Sequence, residues 1–125
     1  MRDTAKVAAT AAWLFALIGG TALPAAGVHA DDRMQARIKE GKEIAFDRLK
    51  GNCLACHMID GGESPGNIGP PLVAMKARFP KRDDLYKRIY DAPEINPATR
   101  MPPFGKHRIL SENEINEVVD YLYTL

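Results

Sequence analysis

The chain has 125 residues but only two cysteines, no marked excess of charge of either sign and no alternating pattern that would make strands, and each absence removes a class of protein. Two cysteines cannot build the multi-bridge framework of a small disulfide-stapled domain. Nor do they give a structural zinc site, because Cys53, Cys56 and the adjoining His57 lack a second ligand pair at the usual spacing. From Asp31 onward basic and acidic residues balance, which gives no support for a nucleic-acid or membrane-surface partner. Internal repeats are absent as well. The longest apolar run, residues 7–23, contains Gly19-Gly20 and is followed by Pro24, and at seventeen residues it is short for a membrane span.

That run instead resembles the apolar region of a secretory leader. Arg2 and Lys6 precede it, and Val28-His29-Ala30 offers a small-residue cleavage site. The expectation is a signal peptide over residues 1–30, export through the Sec pathway to the periplasm, and one mature domain over residues 31–125 with no membrane span after cleavage. Such a short segment buries only about 60–65% of its unfolded surface, so its own core is marginal.

What the sequence does contain is Gly51-Asn52-Cys53-Leu54-Ala55-Cys56-His57, the C-x-x-C-H pattern of covalent haem attachment. Two thiols one turn apart can each add to a vinyl group of one porphyrin, and the adjacent imidazole then lies under the iron. One covalent haem c is therefore the expected cofactor, with His57 as proximal ligand. A buried porphyrin would also supply the apolar area that the short chain lacks. Export and this motif agree, since such attachment takes place outside the bacterial cytoplasm. The same two thiols also admit a redox disulfide, which would close too small a loop to stabilise much.

Around the motif the pattern predicts helices and loops. Residues 31–50 read as a helix capped by Asp31-Asp32, with Met34, Ile38, Ala45, Phe46 and Leu49 near one face. Gly41 interrupts it, either for close approach of a second helix or as a tolerated surface glycine. Residues 58–71 are a loop, in which glycine can lie flat against a porphyrin. There Pro70 either offers its carbonyl to the Nδ1–H of His57 or merely stiffens a turn. Two short helices follow over residues 72–79 and 83–91, capped in the second by Asp83 or Asp84, with Leu85 and Ile89 inward. Four prolines within residues 93–104 forbid helix there. Ser111-Glu112-Asn113-Glu114 is a capping box, and Ile115, Val118, Val119 and Leu122 form the stripe of a last helix.

An iron bound by His57 for electron transfer needs a second strong ligand, from Met34, Met58, Met75, Met101 or His107. Met58 adjoins the proximal ligand, Met75 follows the Gly-Pro loop and Met34 lies in the first helix. Met101 stands in a non-helical loop stiffened by Pro102-Pro103, and is assigned as the distal ligand with His107 in reserve. Residues 76–110 carry nine basic against four acidic side chains, which either steer an acidic partner to the haem edge or form a solvated face.

GNCLACH, PGNIGPPLVAMKARFP and MPPFGKHRILSENEINEVVDYLYTL together resemble the class I cytochromes c, and within them the SoxX family, the monohaem subunits of the SoxAX cytochrome of thiosulfate oxidation. The resemblance covers the chain from about Gly41 onward. It implies an all-α, class I cytochrome c-like fold of three to five helices around one haem, with thioethers at Cys53 and Cys56, ligation by His57 and Met101, and His57 supported by Pro70. It also implies a SoxA-like haem subunit as partner in a heterodimer, and a SoxYZ-like carrier protein whose cysteine receives thiosulfate at that subunit. Electrons would pass through this chain to a downstream cytochrome c, and bond-making would reside on the partner subunit, so no catalytic residue is assigned here. Two other readings stay open: a free-standing electron shuttle, and a thiol oxidoreductase using Cys53 and Cys56. The stretch from Gly41 to Cys53 is longer than in most class I cytochromes, which leaves Gly41 and Ala45 as alternative crossing points for the last helix.

Overall fold

A computed structural model describes residues 26–125, so most of the expected leader, residues 1–25, lies outside the described residues. Among the described residues there are five α-helices and no strand. The helices are α1 (Ala26–Phe46), α2 (Met75–Arg78), α3 (Arg82–Tyr90), α4 (Ala92–Ile95) and α5 (Glu112–Leu122). No helix among them is long and apolar enough to cross a membrane.

α1 and α5 form the frame. They run in opposite directions, since Arg37 of α1 meets Asp120 of α5 while Lys50, just past α1, meets Glu114 at the start of α5. Their backbones touch at Gly41: a Cβ there would collide with the carbonyl of Glu117. Gly41 therefore makes the crossing and is no tolerated surface glycine. Ala45, fully buried, packs beside it with Ile44, Ile115, Val118 and Val119. A larger residue at the crossing would separate the axes and open the core between them.

The boundaries of α1 correct the expected ones at both ends. It begins at Ala26, before Asp31, so Asp31 and Asp32 sit inside the helix and do not cap it. It ends at Phe46 because the chain turns back on Asp47: Gly51 N donates to Ile44 O (3.1 Å), Asn52 N to Asp47 O (3.0 Å) and Leu49 N to Asp47 Oδ1 (2.8 Å). Leu49, expected on the inner face, is consequently 95% exposed. Met34 is also exposed, at 46%, since Arg37 already meets Asp120 near the C-terminal end of α5 and the residues before it reach past that helix.

α5 starts as its sequence requires. Ser111 Oγ accepts from Glu114 N (3.3 Å) and Glu114 Oε2 accepts from Ser111 N (2.9 Å), which closes the capping box. Ile115, Val118, Val119 and Leu122 are all buried.

Of the two middle helices expected, the first is shorter than expected and the second is displaced by one residue. α2 begins only at Met75, because Leu72 N is engaged by Met58 O (2.9 Å) and Ala74 takes a left-handed conformation (φ 50°). α3 begins at Arg82, so Asp83 and Asp84 lie in its first turn, where their charge suits the positive end of the helix, and neither caps it. The prolines do not forbid helix throughout residues 93–104 either. α4 is a single turn with Pro93 in its first two positions, where a missing N–H leaves no bond unmade. One polar cluster ties three helices together. Asp120 accepts from Arg37 Nε (2.7 Å) and Arg82 Nη2 (2.7 Å), and Arg82 also donates to Asn116 Oδ1 (2.6 Å) and Asn116 O (2.8 Å).

Candidate functional site

Beyond α1 the chain makes a tight left-handed step at Asn52 (φ 44°) into a 3₁₀ turn, Cys53–Ala55. Cys53 O accepts from both Cys56 N (3.2 Å) and His57 N (2.9 Å), so the two thiols and the imidazole are held on one turn by their own backbone.

The loop over residues 58–71 folds back onto this turn. Gly66 N donates to Leu54 O and Gly69 N to Cys56 O, both at 2.8 Å. The approach is close enough to exclude side chains: a Cβ at Gly66 would strike Ala55 O, and one at Gly69 would lie 2.6 Å from His57 Nδ1. The sequence suggested that these glycines lie flat against a porphyrin. Their close neighbours are the attachment turn and the imidazole themselves.

His57 Nδ1 stands 2.7 Å from Pro70 O. A carbonyl only accepts, so Nδ1 carries the proton, and in the neutral ring Nε2 is left with its lone pair free for a metal. Pro70 thus fixes both the tautomer and the ring plane.

Met101 lies on the segment between α4 and α5. Ala98 N donates to Asn96 Oδ1 (3.1 Å) and Met101 N to Thr99 Oγ1 (3.2 Å), so Asn96 and Thr99 shape this loop along with its prolines. Met101 is half-buried against the core.

Cys53, Cys56, His57, Pro70 and Met101 all line one cleft of about 790 Å³, at the upper end of the range for small-molecule sites. A smaller apolar hollow of about 80 Å³ continues inward beneath Cys53, His57 and Met101 to Leu85, Val118 and Leu122. Of the other ligands considered, Met34 and Met58 are exposed and line neither space, and neither does His107. Met75 lines the inner hollow but is 2% exposed within the core.

The wall of the cleft includes four basic side chains, Arg48, Lys50, Arg88 and Arg100, and no carboxylate. The basic stretch over residues 76–110 is therefore not one uniform face. Arg88, whose guanidinium lies over the Phe79 ring, and Arg100 line the cleft, whereas Arg82 is engaged by Asp120 and Lys106 by Asp91. Sequence reasoning missed Arg48 and Lys50, which precede the motif; Gly51 between them and Cys53 was the available signal for a turn.

Burial pushes the Cys53 thiol up to about 11. Reactive cysteines have depressed values, so Cys53 is poorly suited to thiol–disulfide exchange. Two thiols, an imidazole nitrogen with a free lone pair and a thioether around a mostly apolar cleft fit an iron porphyrin. Among the described residues no group of three His, Cys, Asp or Glu side chains is placed to hold a bare metal ion.

The family described as cytochrome c oxidase, cbb3-type, subunit III matches residues 36–122, from within α1 to the last residue of α5. A protein of Aquifex aeolicus (strain VF5), called an uncharacterized lipoprotein, is 42% identical over 77 residues. The matched part covers 59% of this chain and 36% of that protein, so the chain spans about a third of that relative's length.

Proposed function

We propose that this chain, which belongs to the cytochrome c oxidase, cbb3-type, subunit III family, is an exported monohaem cytochrome that passes single electrons between protein partners. Membership makes it an all-α c-type cytochrome domain with covalently bound haem c. Within that frame Cys53 and Cys56 would carry the thioethers, His57 Nε2 and Met101 Sδ would hold the iron, and Pro70 orients His57. When bound, the haem supplies an iron that cycles between ferric and ferrous states. The residues of the chain do the rest. Pro70 keeps the proton on Nδ1, the apolar inner wall excludes water, and Arg48, Arg88 and Arg100 offer positive charge to anionic groups at the cleft, whereas Lys50 is already paired with Glu114.

The observation that carries this reading is the convergence of the five residues on one cleft, with His57 held through Pro70. Its test is the spectrum of the full chain matured with haem, beside Met101→Ala. The parent should show a low-spin alpha band when reduced and a methionine-to-iron charge-transfer band when oxidised. Met101→Ala should lose the latter and bind exogenous imidazole. An unchanged charge-transfer band in that variant would remove Met101 from the iron.

The finer reading is the SoxX-like one: a periplasmic subunit that takes electrons from the coupling of thiosulfate to a carrier cysteine and gives them to another cytochrome c. What supports it is the wording of residues 51–57, 65–80 and 101–125 quoted above. Purification from the native host decides it, since a second haem protein of the SoxA kind should accompany the chain. Elution as a lone one-haem monomer would favour the second reading, a free-standing shuttle.

A further inference from the structure

The segment that carries Met101 is a strap whose two ends are drawn together at a neck. At the C-terminal end of α3, Tyr90 O accepts from Gly105 N (3.0 Å) and Lys106 N (3.2 Å). A Cβ at Gly105 would run into the ring of Tyr90, so the neck admits only glycine there. Beside this, Lys106 Nζ reaches Asp91 Oδ2 at 2.5 Å.

Between the two ends the strap is held by short-range bonds of its own, at Asn96 and Thr99, and makes few bonds to the rest of the fold. Residues 94–98 and Arg100 are exposed, and the one deeply buried side chain between α4 and the neck is Phe104, 7% exposed, whose carbonyl accepts from Ile109 N (2.8 Å) and Leu110 N (3.0 Å). Segments with few buried contacts open at low free energy, so the orientation of Met101 depends on the neck.

Asp91 is the only buried charged residue among the described residues, at 4% exposed, and its Oδ1 is buried without a partner. A carboxylate in that position is costly, and one cation, Lys106, offsets it. The arrangement is asymmetric. The Lys106 side chain is 60% exposed and can return to water at small cost, whereas the Asp91 side chain, 6% exposed, cannot.

We propose that Asp91 and Lys106 are a latch that closes the strap and thereby holds Met101 at the cleft. They are positioning residues, acting on the iron only through the strap, and the inference rests on Met101 being the distal ligand. Because the buried partner is the acid, removing the lysine harms the latch more than neutralising the acid does.

The experiment is the rate of imidazole binding to the ferric, haem-loaded full chain, read together with the methionine-to-iron band. Lys106→Gln should bind imidazole faster by about tenfold, the scale of one lost hydrogen bond to a charged group. Asp91→Asn should bind it faster by a smaller factor, and Lys106→Arg should stay at the parent rate. Should Lys106→Gln not fold, the double variant Asp91→Asn with Lys106→Gln has no stranded charge and should show the intermediate rate. Ser111→Ala, which weakens the distant cap of α5, separates positioning from general stability: its unfolding midpoint should fall with no gain in imidazole rate. Parent-like imidazole binding in Lys106→Gln, or in the double variant where the single one does not fold, overturns the latch while leaving the Met101 ligand standing. A charge-transfer band that survives Met101→Ala overturns the ligand assignment and the latch with it.

Discussion

Gly41 and Gly69 serve two regions by the same device and to different ends. At Gly41 a helix lies against a helix, and the space of a missing Cβ is taken by the Glu117 carbonyl of α5. At Gly69 a loop lies against an imidazole, and the space is taken by the ring of His57. The first closes a core of side chains buried on both sides. The second positions one nitrogen. The frame is held by apolar burial and by ion pairs at its rim, whereas the site is held by backbone hydrogen bonds that the loop makes to the attachment turn. Changes in the frame should therefore appear in stability and changes in the loop in ligation.

The sharpest way to break that distinction is Gly69→Ala. The new methyl group would displace the His57 ring from Pro70 O, so the alpha band of the reduced protein should lose most of its low-spin intensity. The far-ultraviolet dichroism of α1 and α5 should remain. If the haem spectrum of Gly69→Ala matches the parent, the loop does not position His57.

Gly41→Ala is the converse. Overpacking against a backbone atom that cannot give way costs about 1–3 kcal/mol, against about 1 kcal/mol gained from helix propensity. The net loss should be near 1 kcal/mol, or about 4–8 °C in unfolding midpoint for a domain of this size. The spectrum of the folded fraction should be unchanged. A midpoint equal to or above that of the parent would mean that the helices can separate freely at this point.

Which of these features the sequence made legible follows from the range of the forces involved. The cap at Ser111, the stripe of α5 and the C-x-x-C-H turn are local, and their spacing alone announces them. Helix ends set by distant partners are not. Nothing in residues 72–74 says that Leu72 N will be taken by Met58 O, and nothing near Asp31 says that α1 continues upstream of it. Pro93 misled because proline density argues against a long helix but not against one turn with proline at its start. The two roles of the glycines are likewise a matter of tertiary contact: Gly41 admitted a crossing but not the choice between it and Ala45, and Gly69 read as a loop residue without His57 as its neighbour. The cleft's cations come from three separate segments, so a count of charge along residues 76–110 could not find Arg48 and Lys50 among them.

A smaller effect within the frame is Ser111→Ala. It removes the acceptor of Glu114 N at the start of α5, and loss of such a cap costs about 1 kcal/mol. The urea midpoint of the haem protein should fall accordingly with its slope unchanged, and a fall of less than a few tenths of a kcal/mol would show that Glu114 alone sustains the cap.

The smallest effect concerns the charge on Glu114. The hydrogen bond from Lys50, followed by that from the Ser111 backbone, lowers its carboxyl from 4.5 to about 2. Since the folded value lies below the unfolded one, the carboxylate's contribution is fully present above about pH 4.5 and is lost as pH falls toward 2. Lys50 is largely exposed, with its side chain 48% accessible, so screening keeps this contribution small and makes it shrink further in salt. Glu114→Gln isolates the term, because glutamine retains the reciprocal bond of a capping box while lacking the charge. The difference in unfolding free energy between parent and variant should be constant above pH 5, narrow steadily below about 4.5, and close faster at high ionic strength. A difference that stays constant down to pH 2.5 would mean that the Lys50–Glu114 pair adds nothing to the frame beyond the neutral cap, and that burial at the Gly41 crossing carries α1 and α5 on its own.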